Sequence, residues 1–84
     1  MAAEWAPLNT RVNSLAPGNY HSDLFDTAAA AAGPAWEDAA KEATLQKRVD
    51  ETDEIIGPVL YLASDMSKFT TGTTLVSDGG MLVL

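Results

Sequence analysis

The sequence predicts an α/β fold built around a small parallel sheet. Two short stretches with strand character lie near opposite ends of the chain, at residues 11–16 and 73–76. Helical patterns and helix-capping residues fill the sequence between them. The order strand, helical stretch, strand is typical of the βαβ unit of a parallel sheet, whose crossover is expected to be right-handed.

Length and charge narrow the class of protein. With 84 residues the chain forms one small domain, and its net charge of −7 argues against a nucleic-acid partner, since phosphate binding needs clustered Lys and Arg. The absence of cysteine excludes disulfides and thiolate metal sites and favours a reducing, cytoplasmic location. No apolar run reaches the length of a membrane span, so no membrane partner is expected.

The first six residues, MAAEWA, are helical by propensity and are predicted to end at Pro7. No capping residue precedes them and no signal-peptide pattern is present. We therefore expect the sequence to be part of a longer polypeptide.

The first predicted strand, residues 11–16, stops at Pro17-Gly18. The polar stretch that follows contains Ser22 and the only histidine of the chain, His21. Proline fixes a turn and glycine lets backbone approach closely, so this is either a plain turn or the wall of a ligand site.

Two Ala-rich helices are predicted over residues 26–47. Asp26 or Thr27 would cap the first, Gly33 would end it, and Pro34 would open the second. Large apolar side chains are few here, so this region is expected to pack weakly.

A third helix is predicted over residues 52–66, capped by Asp50 or Thr52, and a bend or a tight local turn is expected at Pro58. It carries a wide apolar face. The last strand, residues 73–76, leads into an Asp78-Gly79-Gly80 turn. The terminal MLVL is expected to pack against another part of the protein or another subunit.

The ordered motifs resemble the C-terminal third of the short-chain dehydrogenase/reductase (SDR) family. The matching runs are RVNSLAPG and, further along, LASD, TG and DGG within DEIIGPVLYLASDMSKFTTGTTLVSDGG. The resemblance covers nearly the whole chain and implies the last two strands of a doubly wound, Rossmann-like parallel sheet, with a helical substrate-loop insertion between them. Ligands of such sheets lie beyond the carboxyl ends of the strands.

The resemblance also implies site residues. The nicotinamide end of NAD or NADP would meet Pro17, Gly18, Tyr20 and Ser22, and residues 26–47 would form a mobile substrate lid. The resemblance also assigns Asn19, His21, Leu24 and Phe25 to the substrate lid. Intact relatives of this kind often form dimers or tetramers, so a homo-oligomer is expected.

Two parts that the resemblance requires for hydride transfer are absent from the sequence. There is no Gly-rich turn after a first strand, and neither Tyr20 nor Tyr61 is followed by lysine four residues later. We therefore assign no catalytic residue and expect the missing parts on an N-terminal portion of the same fold, with the chain inactive alone.

Simpler interpretations stand beside each assignment. Ser22 is equally a cap of the following turn, His21 an exposed loop histidine, and Trp5 and Trp36 packing anchors. A metal site is not expected, because His21 has no second His or Cys as a partner. At the level of the whole chain, the alternative is a non-catalytic module that self-associates.

Overall fold

The computed structural model describes residues 1–83, so Leu84 of the MLVL tail lies outside the described residues. Its centre is a two-stranded parallel sheet formed by β1 (Ser14–Pro17) and β2 (Thr74–Ser77). Ser14 pairs with Thr74 and Pro17 with Ser77. The predicted parallel α/β arrangement is thus confirmed, although each strand begins and ends further along the chain than the sequence suggests.

The residues just before β1 bind a distant loop with their side chains. Arg11 donates from Nη2 to the carbonyl oxygens of Leu62 and Ser64, at 3.1 and 3.2 Å, and from Nη1 to that of Thr70 at 3.2 Å. Asn13 donates from Nδ2 to Thr70 O at 2.9 Å. The segment before β1 is thus joined to residues 62–70 by side-chain hydrogen bonds, and Val12 O also accepts from the N–H of Gly72 at 2.8 Å.

Two helices follow β1: α2 (Asp23–Ala32) and α3 (Pro34–Glu42). Ser22 is the N-cap of α2, since its Oγ accepts from the backbone N–H of Phe25 at 3.2 Å. The prediction that Asp26 or Thr27 caps this helix is therefore wrong, and the lid helices begin at residue 23. Gly33, at φ +89°, ends α2, and Pro34 opens α3, as predicted.

The predicted third helix is three consecutive pieces: a 3₁₀ turn at Thr52–Ile55, α4 (Ile56–Ala63) and a 3₁₀ turn at Asp65–Ser67. Pro58 is the third residue of α4, where its missing N–H would have no intrahelical partner, and the tight 3₁₀ turn lies directly before this helix. The N-cap is Glu51 in a reciprocal capping box with Glu54, which corrects the expected caps Asp50 and Thr52.

The two ends of the chain are short helical turns. α1 (Ala2–Trp5) continues into a 3₁₀ turn at Ala6–Leu8, so Pro7 lies inside the turn. Met81–Val83 form another 3₁₀ turn, in which Met81 is half-buried and Leu82 and Val83 are exposed. A packing partner for this tail remains a prediction.

The hydrophobic core of the described residues is small. Only four side chains are buried: Ala40, Thr44, Val49 and Ser67. The chain exposes 5919 Å², against about 4,800 Å² for a compact protein of its mass. Its radius of gyration is 15.8 Å, against about 12 Å for a compact domain of this length.

Much of the excess surface is apolar. On α4, Ile56, Val59 and Leu60 share one face at helical spacing and are exposed. We refer to these three residues as the α4 stripe. Met66 and Phe69 are exposed just beyond it. No helix among residues 1–83 has both the length and the apolar character needed to cross a membrane.

Candidate functional site

The carboxyl ends of both strands lie at one edge of the sheet, because the strands are parallel. Gly18 continues from β1 and donates its N–H to Ser77 O at 3.0 Å. Asp78 follows β2 and organises its turn, since Oδ1 accepts from the N–H groups of Gly80 at 2.9 Å and Met81 at 3.2 Å. The edge is therefore held by a backbone hydrogen bond between the strand ends and by the Asp78 carboxylate in the turn after β2.

A depression of about 380 Å³ opens beside this edge, and we call it the edge pocket. Six residues predicted from the sequence line it: Gly18, Asn19, Tyr20, Ser22, Leu24 and Phe25. Pro17 and His21, also predicted, lie outside the lining. The structure thus brings together residues from the strand end and from the first turn of α2.

Two further lining residues, Ala28 and Trp36, were not assigned to the site from the sequence. The rings of Phe25 and Trp36 lie 6.2 Å apart, tilted by 53°, and Trp36 is 43 % exposed. Trp36 therefore packs only partly against the rest of the described chain. The available signal was a large aromatic residue two positions after Pro34, close to the joint between α2 and α3.

The rim of the edge pocket is fastened to the segment before α4. Asp50 donates its N–H to Asn19 O at 3.0 Å, and His21 donates its N–H to Asp50 O at 2.8 Å. Thr52 Oγ1 donates to His21 O. These bonds form a short parallel bridge between Tyr20 and Asp50. The bridge fixes the backbone of residues 19–21, although these residues lie outside the helices and strands.

Two ion pairs of Arg48 reinforce that segment, one with Glu54 and one with Asp50, whose Oδ1 lies 3.6 Å from Nη1. Arg48 binds both carboxylate oxygens of Glu54 at 2.7 Å, and this bidentate contact is the main reason that the pKa of Glu54 falls to about 2. Burial raises the pKa of Asp50, and its hydrogen bond with Glu54 raises it further. The charges stabilise the backbone behind the rim and do not face the edge pocket.

His21 is half-buried and engaged, in contrast to the exposed loop histidine of the simpler interpretation. Its Nδ1 lies 2.9 Å from Asp26 Oδ1 on α2, and its Nε2 lies 4.0 Å from Glu37 Oε1 on α3. Its ring meets Phe25 edge-on at 5.7 Å. The hydrogen bond with Asp26 is the largest cause that raises the pKa of His21 above 6.5.

The lining of the edge pocket offers hydrogen-bonding groups beside apolar surface. Ser22 Oγ accepts a helix N–H, which leaves its O–H able to donate to a ligand. Tyr20 has Leu24 four residues later, where a pKa-lowering lysine would be needed. Among residues 1–83 no three His, Cys, Asp or Glu side chains are grouped to hold a metal ion.

Comparison with known proteins gives the family. Residues 1–82 match the family model described as enoyl-(acyl carrier protein) reductase. Sorbose reductase of Schizosaccharomyces pombe is 44 % identical over 80 residues, which are 95 % of this chain and 29 % of the reductase. The chain thus spans less than a third of the length of this relative.

Solved structures agree in fold. A gluconate 5-dehydrogenase from Burkholderia cenocepacia, in complex with NADP and tartrate, is 34 % identical with a TM-score of 0.88, covering 100 % of this chain and 32 % of that one. A 4-hydroxyisoleucine dehydrogenase complexed with NADH is 28 % identical with a TM-score of 0.84, covering 100 % and 34 %. The two parallel strands and the helices between them are therefore part of a Rossmann-like fold. The chain belongs to the short-chain dehydrogenase/reductase family.

Proposed function

We propose that the chain supplies the nicotinamide-end wall and the substrate lid of an NAD(P)(H)-dependent oxidoreductase that acts on an alcohol or carbonyl group. Membership of the family supports the reaction class. The complexes of two solved relatives with NADH and with NADP support the cofactor class.

The observation that carries the proposal is the composition of the edge pocket. Six residues that the motif resemblance assigns to the cofactor wall and lid meet in one depression. The depression lies beyond the carboxyl end of a parallel strand, where open α/β sheets bind their ligands. A plain turn after Pro17-Gly18 would not require these side chains to converge.

Each residue of the wall has a distinct part in binding. Gly18 leaves the backbone open to close approach of a ring, while Pro17 fixes the direction of the turn. Ser22 offers its O–H to the carboxamide or a phosphate of the cofactor. The bound nicotinamide would accept or release the hydride, and this chain's residues would orient it.

The substrate side of the edge pocket is formed by Leu24, Phe25 and Trp36. No charged side chain lines the pocket. Burying a charged group there would cost free energy without a compensating partner, whereas an apolar or uncharged group would gain contacts. We therefore propose a substrate that presents an uncharged part to the lid.

The phosphate-binding turn and the Tyr-x-x-x-Lys pair are proposed to lie on an N-terminal portion of the same fold, so this chain alone is expected to be inactive. The exposed α4 stripe and the large accessible surface support a missing cover. A dimer or tetramer of the complete assembly and a cytoplasmic location are part of the same proposal. The cysteine-free sequence is compatible with a reducing compartment.

Reconstitution tests the proposal. The chain would be mixed with the part of the Schizosaccharomyces pombe sorbose reductase that it does not match, which we expect to carry both missing parts. Oxidation of NADH and NADPH would be followed with ketone substrates, beginning with sorbose. Cofactor-dependent turnover by the mixture, and by neither component alone, is the expected result.

The matched control replaces this chain with the corresponding segment of the reductase itself, which shows that the split reductase can reassemble. Activity with the native segment, but neither association nor activity with this chain, would overturn the proposal.

The exposed α4 stripe also favours a second candidate, a non-catalytic module that self-associates. Sedimentation of the isolated chain distinguishes the two functions when combined with the variant Leu60→Glu. The module would be favoured if the isolated chain forms a stable oligomer, the Leu60→Glu variant is monomeric, and reconstitution fails.

A further inference from the structure

The two lid helices are joined loosely. Gly33 links them at φ +89°, and a Cβ at this position would meet no atom within 4 Å. Within α2 no residue is buried, and within α3 only Ala40 is. Packing therefore does little to fix the angle between α2 and α3, and polar contacts can set it.

His21 stands where carboxylates of both helices converge. Asp26 on α2 lies 2.9 Å from Nδ1, and Glu37 on α3 lies 4.0 Å from Nε2. The ring is held from behind, because the backbone of His21 is bonded to Asp50 and Thr52. An imidazole anchored in this way can link the two helices to the strand end.

The second link depends on the charge of the ring. A neutral imidazole has one N–H. When Nδ1 donates that N–H to Asp26, the unprotonated Nε2 faces the carboxylate of Glu37, and the lone pairs of the two groups repel each other. The imidazolium has two N–H groups: one donates to Asp26 and the other faces the Glu37 carboxylate at 4.0 Å, which is an ion-pair distance. Adding one proton therefore converts an unfavourable contact with α3 into an attractive one.

We propose that His21 is a positioning residue, which in its charged form ties α2 to α3 through Asp26 and Glu37 and thereby sets the width of the edge pocket. Phe25 on α2 and Trp36 on α3 both line that pocket, so the angle between the helices determines how far apart their rings stand. Protonation of one side chain thus changes the shape of the substrate side.

The charges around the ring favour this behaviour. Asp26, Glu51 and Glu37 all raise the pKa of His21, with the Asp26 hydrogen bond as the largest cause, while burial opposes them. Lys41 is the competing cation, since its Nζ lies 3.5 Å from Glu37 Oε1. The tie is present at low pH and is lost as the pH rises through the pKa of His21 in the folded chain.

The chain contains one histidine, so its titration by NMR is unambiguous. The imidazole C–H resonances give the midpoint, and nuclear Overhauser effects between the Phe25 and Trp36 rings report the pocket width. We expect a midpoint above 6.5, lowered by Asp26→Asn and by Glu37→Gln. The ring-to-ring effect should be stronger near pH 5 than near pH 9, and independent of pH in His21→Gln.

Asp23→Asn and Asp38→Asn are the matched controls, because they remove one carboxylate from the same two helices without touching the ring; both should leave the midpoint unchanged. Any one of three results would overturn the proposal. The first is a His21 midpoint at or below 6.5, and the second is a Glu37→Gln midpoint equal to that of the parent. The third is a ring-to-ring effect that does not change with pH. If His21→Gln does not fold, the carboxylate variants decide alone.

The inference needs the edge pocket but neither the cofactor nor the missing portion of the fold. All measurements use the 84-residue chain by itself, so their failure and the failure of reconstitution are separate results.

Discussion

Gly18 and Asp78 touch where the two parallel strands end. A Cβ atom built on Gly18 would lie 2.8 Å from the Cα and 3.0 Å from the Cβ of Asp78. Contacts below 3 Å with backbone cannot be relieved by rotating a side chain, so any larger residue at 18 would push the strand ends apart. The same position forms the floor of the edge pocket, which couples sheet closure to the shape of the site.

Replacing Gly18 with alanine should therefore loosen the sheet at this edge. Overpacking a close contact costs about 1–3 kcal/mol, which corresponds to amide exchange roughly 5- to 150-fold faster at the ladder. Hydrogen exchange of the Gly18 and Ser14 amides measures this. Gly57→Ala is the control, since a Cβ there meets no atom within 4 Å. Equal exchange rates in the two variants would contradict the steric argument.

Arg11→Gln should release the loop that precedes β2. The guanidinium binds three carbonyl oxygens near the end of α4, and charge-assisted bonds of this kind are worth about 1.5–3 kcal/mol. Faster amide exchange at Gly72, whose N–H bonds Val12 O, is the expected readout. Lys68→Gln removes an exposed cation from the same region and should have no effect. Similar behaviour of both variants would show that Arg11 acts only through its charge.

The Arg48–Glu54 pair should make the segment behind the rim sensitive to acid. Because the pKa of Glu54 is about 2 in the folded chain, below its ordinary 4.5, its stabilisation is complete above pH 4.5 and is lost as the pH falls towards 2. Exchange at the Glu51 and Asp50 amides, expressed relative to the rate of an unfolded peptide at the same pH, should rise over this window. In Glu54→Gln it should be faster throughout and should lack the acid transition; a retained transition would assign it to another carboxylate.

Trp36→Ala should weaken substrate binding in the reconstituted enzyme more than it slows turnover. Trp36 contributes an apolar wall and no reacting group, and its partly exposed ring is worth about a five- to twentyfold change in KM. Steady-state kinetics with one ketone and saturating cofactor measures the change. Trp5→Ala, at a tryptophan 42 % exposed in α1, is the control and should leave KM unaltered. A fall in kcat at constant KM would contradict the role.

Local sequence signals were sufficient for the frame of the fold. Pro17-Gly18 and Asp78-Gly79-Gly80 mark the ends of the two strands, and Gly33-Pro34 marks the joint between the lid helices, because each of these residues restricts or frees the backbone at its own position. The resemblance to the family, rather than any local signal, led to six of the residues that line the edge pocket.

The remaining details depend on contacts that no local pattern contains. The partners of Arg11 could not be predicted, because its guanidinium binds carbonyl oxygens more than fifty positions away. Ser22 and Asp26 are both capping residues by type, and the extended backbone at Ser22 decides between them. Trp36 joins the edge pocket only through the angle between α2 and α3.

The central claim is that the edge pocket holds the nicotinamide end of the cofactor. The most direct test is NMR of the isotopically labelled chain in the reconstituted assembly, titrated with NADH and, in parallel, with ADP-ribose, which lacks the nicotinamide ring. We predict amide shifts at Gly18, Tyr20 and Ser22 with NADH and none with ADP-ribose. Equal shifts with both ligands, or shifts with neither while NADH binds the assembly, would contradict the claim.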